Sequence, residues 1–333
     1  MNLKQLQQQI ENDAVANVYV VTGEEDALLA SAYRLFQSLI ADEDRDMNLA
    51  QFDLSEVNLD TMINDAMSMP FFGNKRVTIV DNPQFLTATA KVNNHDQELL
   101  LKLLQQPNAE NVIVFFVKQL KLDKRKKITK LLLKQAEIVD LPLLSEKQSQ
   151  QAIAGYLSQR NYQMTPEAMT ELLKRTNANY SNMLNEMPKL LAFAHKAKKI
   201  ELSTVQALVP KTLTANVFDL VNYVIQAKVE EALVLYRDLL LSGEAPLRLN
   251  AVLTSQFRLL LQVAGLQGND NDISKQLGVH PYRIKLAKQS LRQYKLYDIR
   301  NGYLKMLDIE IQLKTTQHNP ERLFELFVMN FSK

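Results

Sequence analysis

"NVYVVTGEEDALLA", residues 17–30, decides the fold. Val18, Tyr19, Val20 and Val21 form an apolar run with no polar alternation, the pattern of a strand buried on both faces. Gly23 breaks it, and "EEDALLASAYRLFQSLI" continues with helical periodicity. The same alternation repeats outward from this unit. "LAQFDL" (49–54), "RVTIVDN" (76–82), "NVIVFFV" (111–117) and "AEIVDL" (136–141) read as further strands. Helical patterns fall between them, among them "DQELLLKLLQQ" (96–106) and a basic segment after residue 117. Apolar strands separated by helices predict a parallel sheet covered on both faces.

Beyond "LPLLSEKQ" the strand signals stop. Residues 142–210 read as a small helical domain, with Thr165 and Pro166 at the N-cap and first position of one helix. From residue 211 to 333 the chain again reads as all helix, and Gly243 and Pro246 mark one helix stopping and the next starting. The predicted fold class is therefore α/β plus all-α: an α/β domain over 1–141, a small helical domain over 142–210 and a C-terminal helical domain over 211–333.

The 333 residues are 46% hydrophobic and 23% charged, an ordinary globular composition long enough for two or three cores. No long apolar span and no basic, apolar leader is read, so the expectation is a cytoplasmic protein. A cysteine count of zero excludes disulfides, thiolate catalysis and cysteine-ligated zinc. His95, His195, His280 and His318 form no metal-binding pair, and the formal net charge of +2 gives no global basicity. There is no Gly-x-Ser-x-Gly and no Ser-x-x-Lys. No catalytic residue, metal or cofactor is expected.

The turn at Gly23 sits where an α/β nucleotide-binding domain carries its phosphate loop. Counting the P-loop pattern from Gly23, however, places Leu28 at the second glycine and Leu29 at the lysine. Glu24, Glu25 and Asp26 would repel a triphosphate. The third strand ends in Asp81 and Asn82; Asp81 retains the capacity to hold a metal, but Asn82 cannot serve as a base.

Two basic segments stand out. "KQLKLDKRKKITKLLLK" (118–134) carries eight basic residues and one acid, Asp123, which suits an N-cap, with Ile128, Leu131 and Leu132 as the buried stripe. It reads either as a solvated face or as a phosphate-contacting patch, and no base-stacking aromatics are interleaved. "DISKQLGVHPYRIKLAKQSLRQY" (272–294) has helix-turn-helix spacing, with Gly278 in the turn and Arg283, Lys285, Lys288 and Arg292 on the second helix. It reads either as a DNA reader or as a packed hairpin, since Ile284, Leu286, Ala287 and Leu291 require burial.

"DAMSMPFFGNKRVTIV" (65–80) places Phe71 and Phe72 in a turn bracketed by Pro70 and Gly73. Adjacent turn residues point in different directions, so burying both needs a pocket on each side. Either they belong to a core cluster at the loop base, or they form an exposed plug for a partner's pocket.

With "VYVVTGEEDALL", "AMSMPFFGNKRVTIVDN", "VIVFFVKQLKLDKRKKITKLL", "LLLSGEAPLRLNAVLTSQFRLLL", "ISKQLGVHPYRIKLAKQSLR" and "LKTTQHNPERLFELFVMNF" in this order, the chain resembles the delta subunit of bacterial DNA polymerase III, the clamp-loader wrench. The resemblance implies an AAA-type, ATPase-like domain lacking a functional P-loop, a helical lid and a C-terminal helical collar. It implies partners: the sliding clamp, bound by a tip of Met69, Pro70, Phe71 and Phe72, and the ATPase and delta-prime subunits, joined through the collar. The subunit would open the clamp for loading onto primed DNA, as a non-catalytic part of a DNA-directed DNA polymerase (nucleotidyltransferase) holoenzyme. Lys124, Arg125 and Lys127 then become candidates for contact with primer-template DNA in the assembled loader. The Pro-Phe-Phe-Gly tip departs from the shorter aliphatic-aromatic tip of some relatives but keeps paired bulky residues.

Overall fold

The computed structural model describes residues 1–331 apart from Phe72, Thr89, Lys91, Gln119 and Lys121. Two compact units, Met1–Leu143 and Leu144–Lys333, divide the chain.

In the first unit the order is α1 (Leu3–Glu11), β1 (Val18–Gly23), α2 (Asp26–Gln37), α3 (Arg45–Asn48), β2 (Leu49–Asp53), α4 (Leu59–Met67), β3 (Arg76–Asp81), α5 (Asn94–Gln105), β4 (Asn111–Lys118), α6 (Lys127–Gln135) and β5 (Glu137–Leu141). The strands form one parallel sheet in the order β2-β3-β4-β1-β5. Side chains alternate along each strand between two covered faces. Val18, Val20, Val80, Ile113, Phe115 and Val117 pack with α4, α5 and α6. Tyr19, Val21, Val77, Ile79, Val114, Phe116 and Val139 pack with α1 and α2 on the other face. Both sides of the central strands are thereby dry, which is why they read as unbroken apolar runs. The sequence reading left α1 out. Asn2 and Gln5 close a capping box at its start, and Leu6 supplies its fully buried contact.

The second unit runs α7 (Glu146–Ser158), β6 (Gln163–Met164), α8 (Pro166–Thr176), α9 (Tyr180–Phe193), β7 (Lys199–Ile200), α10 (Leu202–Leu208), α11 (Leu213–Ile225), α12 (Val229–Leu241), α13 (Pro246–Ala264), α14 (Asp270–Leu277), α15 (Pro281–Leu291), α16 (Leu296–Thr315) and α17 (Pro320–Phe331). The two-residue strands β6 and β7 pair in parallel, a bridge too short for sequence periodicity to announce. Thr165 caps α8 by accepting from the Ala168 N–H, with Pro166 at the first position. One hydrophobic cluster gathers residues from Ile153 to Val209 together with Tyr282 of α15, and a second gathers Val217 to Val328. Polar contacts join the segments that carry them. The Thr212 N–H donates to the Arg175 carbonyl at 2.9 Å, and Lys174 pairs with Asp219 at 3.7 Å. In the second cluster Gly302 of α16 lets the helix approach α13 closely, since a Cβ there would lie 2.5 Å from the Phe257 ring.

Candidate functional site

The connection from α4 to β3 emerges at the amino-terminal end of β3 and is built on buried polar contacts. A helix leaves its last carbonyls without intrahelical partners. At the end of α4 Asn111, 1% exposed at the start of β4, supplies the donor, its Nδ2 reaching the Ala66 carbonyl at 2.9 Å and the Ser68 carbonyl at 2.7 Å. Asp65, in the last turn of α4, pairs with the Arg76 guanidinium and accepts from Thr78 Oγ1 at 3.1 Å. Arg76 also donates from Nη1 to the Met47 carbonyl at 2.7 Å, which sets the end of α3 beside the start of β3.

Beyond that base the chain turns outward. Met69 is 77% exposed and Phe71 52% exposed, with Pro70 half-buried between them. Phe72, the fourth residue of the expected tip, lies outside the described residues. The backbone of Phe71 is gripped at both ends by one side chain. Asn48 Oδ1 accepts the Phe71 N–H at 2.6 Å, and Asn48 Nδ2 donates to the Phe71 carbonyl at 2.7 Å. The carboxamide thus offers Phe71 what a neighbouring strand would, while Asn48 itself is buried. Met47, next to it, is 56% exposed, and Met67 is exposed as well. Sequence reading singled out Met69, Pro70 and Phe71 as tip candidates but not Met47 or Asn48, which sit 21 or more residues before the tip in a segment with no motif. A Met-Asn pair just ahead of a strand is a weak cue even in hindsight.

The β1–α2 turn, at the opposite, carboxyl-terminal end of the sheet, is closed. The N–H groups of Glu24 and Glu25 both point at the Leu141 carbonyl, at 3.1 and 3.4 Å. Gly23 has φ +150°, and a Cβ added there would fall 2.1 Å from that carbonyl oxygen. Glu25 is fully buried, Leu29 is packed in the core with Ala32 and Phe36, and Leu28 packs against the same cluster. Asp26, in the first turn of α2, pairs with Lys118 at 2.6 Å. Where a helix start favours a bound anion, this one already carries carboxylates of its own. Nearby, the hydrogen bond from the Ser55 hydroxyl at 2.7 Å, then those from Asn82 Nδ2 to both Asp53 oxygens at 2.9 Å, hold the Asp53 carboxyl below its ordinary range. Burial pushes Asp81 up, against the hydrogen bond from Gln51. Among the described residues, no group of three or more His, Cys, Asp or Glu side chains could hold a metal ion.

The basic segment after β4 differs from its sequence reading at one point. The helix cap is Lys126, and Asp123 lies in the turn before it. There Asp123 takes the Arg125 guanidinium in a two-pronged grip, Nε to Oδ1 at 2.9 Å and Nη2 to Oδ2 at 3.0 Å. This partner holds the Asp123 carboxyl down to about 2. Lys126 is turned inward to the Phe85 and Ala90 carbonyls, whereas Lys124 and Lys127 are exposed. Ile128 and Leu132 are buried as the periodicity requires.

The helix-turn-helix spacing at 272–294 is real, with Gly278 in the left-handed conformation between α14 and α15, but its basic face is occupied. Arg283 is largely buried, and its Nη2 donates to Gln256 at 3.2 Å. Lys285 pairs with Glu146 at 2.5 Å, and Lys288 with Asp270 at 2.8 Å. Arg292 remains exposed. Ile284 and Ala287 are fully buried. His280 caps α15: Nδ1 accepts from the Tyr282 N–H and Nε2 donates to the Leu144 carbonyl at 2.8 Å. Burial pushes its pKa below the ordinary histidine value. A DNA reader needs its cations free to face phosphates and bases; three of these four are bound internally.

Among the described residues no helix is long and apolar enough to cross a membrane. The family described as "DNA polymerase III, delta subunit" matches residues 19–141, and "DNA polymerase III delta subunit, C-terminal domain" matches residues 214–331. The DNA polymerase III subunit delta of Bacillus subtilis is 32% identical over 330 residues, covering 97% of this chain and 95% of that one. A probable DNA polymerase III subunit delta of Aquifex aeolicus is 24% identical over 303 residues, covering 88% and 85%. Among solved structures, the Bacillus subtilis DNA clamp loader delta protein superposes with a TM-score of 0.73 at 30% identity, covering 99% of each chain. The chain belongs to the DNA polymerase III delta subunit family.

Proposed function

We propose that the protein is a clamp-loader subunit that grips the sliding clamp through Met69, Pro70, Phe71 and Phe72 and favours its opened form. The observation that carries this reading is the exposure of Met69 and Phe71 on a backbone hydrogen-bonded at Phe71 by Asn48. Large apolar side chains in a mobile loop would lose part of their binding energy to ordering; here the backbone is already placed. Inserting the two into an apolar pocket contributes several kcal/mol, at about 25 cal/mol per Å² buried. A ligand shifts a ring-opening equilibrium only by its differential affinity, so the tip must fit the open clamp better than the closed one.

The closed β1–α2 turn supports a first domain (1–141) of ATPase-like topology without nucleotide chemistry, and ATP is left to partner subunits. Two hydrophobic clusters in the second unit, one mostly within 153–209 but completed by Tyr282 of α15 and one within 217–328, support a lid over 142–210 packed on a collar over 211–333, the collar joining the ATPase and delta-prime subunits. A subunit that acts on primed DNA would work in the cytoplasm.

The test is a titration of the cognate clamp with wild type and with Met69→Ala/Phe71→Ala. Truncating two such side chains lowers affinity at least about a hundredfold, at roughly 1.4 kcal/mol per decade. The melting curve stays within about 2 °C, because exposed side chains support no core. Clamp binding at wild-type strength, or an unfolded variant, contradicts the proposal.

A further inference from the structure

We infer that Asn48 is the positioning residue of the tip: it holds the Phe71 backbone so that the side chain projects in the conformation that enters a partner's apolar pocket. This inference rests on the tip reading above. A buried carboxamide satisfies itself most simply through secondary-structure carbonyls or neighbouring side chains. Asn48 instead spends its donor and its acceptor on the two ends of one residue 23 positions away, with bonds of 2.6 and 2.7 Å. That residue is the aromatic of the loop, 52% exposed.

The carboxamide is itself fixed from its own side. Asn48 ends α3, whose preceding residue, Met47, has its carbonyl held by Arg76, and Arg76 is held by Asp65 at the end of α4. The last turn of α4 is capped by Asn111. A chain of polar contacts therefore runs from the sheet to the Phe71 backbone, and Asn48 is its final link. Neither aspartate nor leucine reproduces that link. A carboxylate has no proton for the Phe71 carbonyl, and a leucine neither gives nor accepts.

The experiment is a double-mutant cycle on the full chain against the cognate sliding clamp, with amide hydrogen exchange at Phe71 read in parallel. Asn48→Ala is expected to weaken clamp binding about tenfold, the scale of two net hydrogen bonds shared between ordering and contact. In a Phe71→Ala background the same change adds less than about twofold, because a residue acting through Phe71 has nothing left to position. A merely structural residue lowers affinity equally in both backgrounds. The Phe71 amide is protected from exchange in wild type and exchanges freely in Asn48→Ala. Should Asn48→Ala not fold, Asn48→Asp takes its place in the cycle, and the wild-type exchange rate decides alone whether the grip exists. Wild-type affinity in Asn48→Ala beside a crippled Phe71→Ala overturns the role of Asn48 and leaves the tip standing. Wild-type affinity in Phe71→Ala overturns the tip itself. An unprotected Phe71 amide in wild type overturns the grip.

Discussion

Two loops at opposite ends of one parallel sheet use similar materials to opposite ends. After β1, the backbone N–H groups of Glu24 and Glu25 turn inward to the Leu141 carbonyl, and Leu29 fills the space behind them. Ahead of β3, the backbone of Phe71 is bonded to a buried side chain, and the apolar groups are turned outward. In each case the main-chain polar groups are satisfied inside the protein. What differs is where the large side chains go, and that difference separates a turn that completes a core from a turn that offers a surface. The β1 turn, at the end of the sheet where α/β proteins usually bind ligands, is closed, and the exposed Met69 and Phe71 lie at the other end.

The contrast breaks most visibly at Gly23. A side chain there meets both a positive φ and the Leu141 carbonyl oxygen, so Gly23→Ala forces the turn away from β5. We expect a loss of about 3 kcal/mol in urea-induced unfolding. The tip variant Met69→Ala/Phe71→Ala does the reverse, keeping stability and losing the clamp. A Gly23→Ala protein within about 0.5 kcal/mol of wild type means that the turn is open in solution and the two loops are not opposites.

Much of this was legible in residues alone. The parallel sheet follows from runs such as Val18–Val21 and Val112–Val117, because strands covered on both faces carry no polar alternation. Phe71 stood out because adjacent aromatics in a turn bracketed by Pro70 and Gly73 conflict with ordinary loop composition, whereas Met69 and Pro70 entered as tip candidates only through the family resemblance. Asn48 was not visible, since a buried asparagine and a solvent-facing one look the same until a backbone from elsewhere in the chain arrives. The internal ion pairs of Lys285 and Lys288 were hidden for the same reason. Their partners Glu146 and Asp270 come from other helices, so spacing along α15 alone leaves a DNA reader open. Asp123 looked like a helix cap by type, but its competing fit to the Arg125 guanidinium moved the helix start to Lys127.

A smaller effect sharpens the comparison at the end of the sheet that carries the closed turn. The turn before α6 follows β4 and so lies at the same end of the sheet as the β1 turn. Among the described residues Lys124 and Lys127 are exposed there and can meet an external anion. In the assembled loader, Lys124→Glu with Lys127→Glu is expected to weaken primer-template binding about threefold to tenfold. The slope of log affinity against log salt should fall by about one per phosphate contact removed. Arg125→Glu should do less, because Asp123 already engages that guanidinium. Unchanged affinity and slope in the double variant leave this turn as a solvated face.

The smallest expected effect is none at all, and it is the sharpest test of closure. A phosphate loop works because several backbone N–H groups converge on an empty space at a helix start. Here two of those groups already share the Leu141 carbonyl, the position of the lysine is Leu29, and Glu25 and Asp26 bring negative charge to the helix end. Binding ATP would require breaking those two bonds, expelling a packed leucine and setting a triphosphate against carboxylates, each step unfavourable. The melting temperature of the purified chain is therefore expected to be the same with and without about 1 mM Mg-ATP. A site with a dissociation constant a hundredfold below that concentration would add about 2.7 kcal/mol, a shift of several degrees. Such a shift, reproduced in Gly23→Ala, would show a nucleotide site independent of the turn. Seen in wild type and lost in Gly23→Ala, it would show that the turn opens to receive phosphate. No shift in either protein leaves the turn closed to nucleotide.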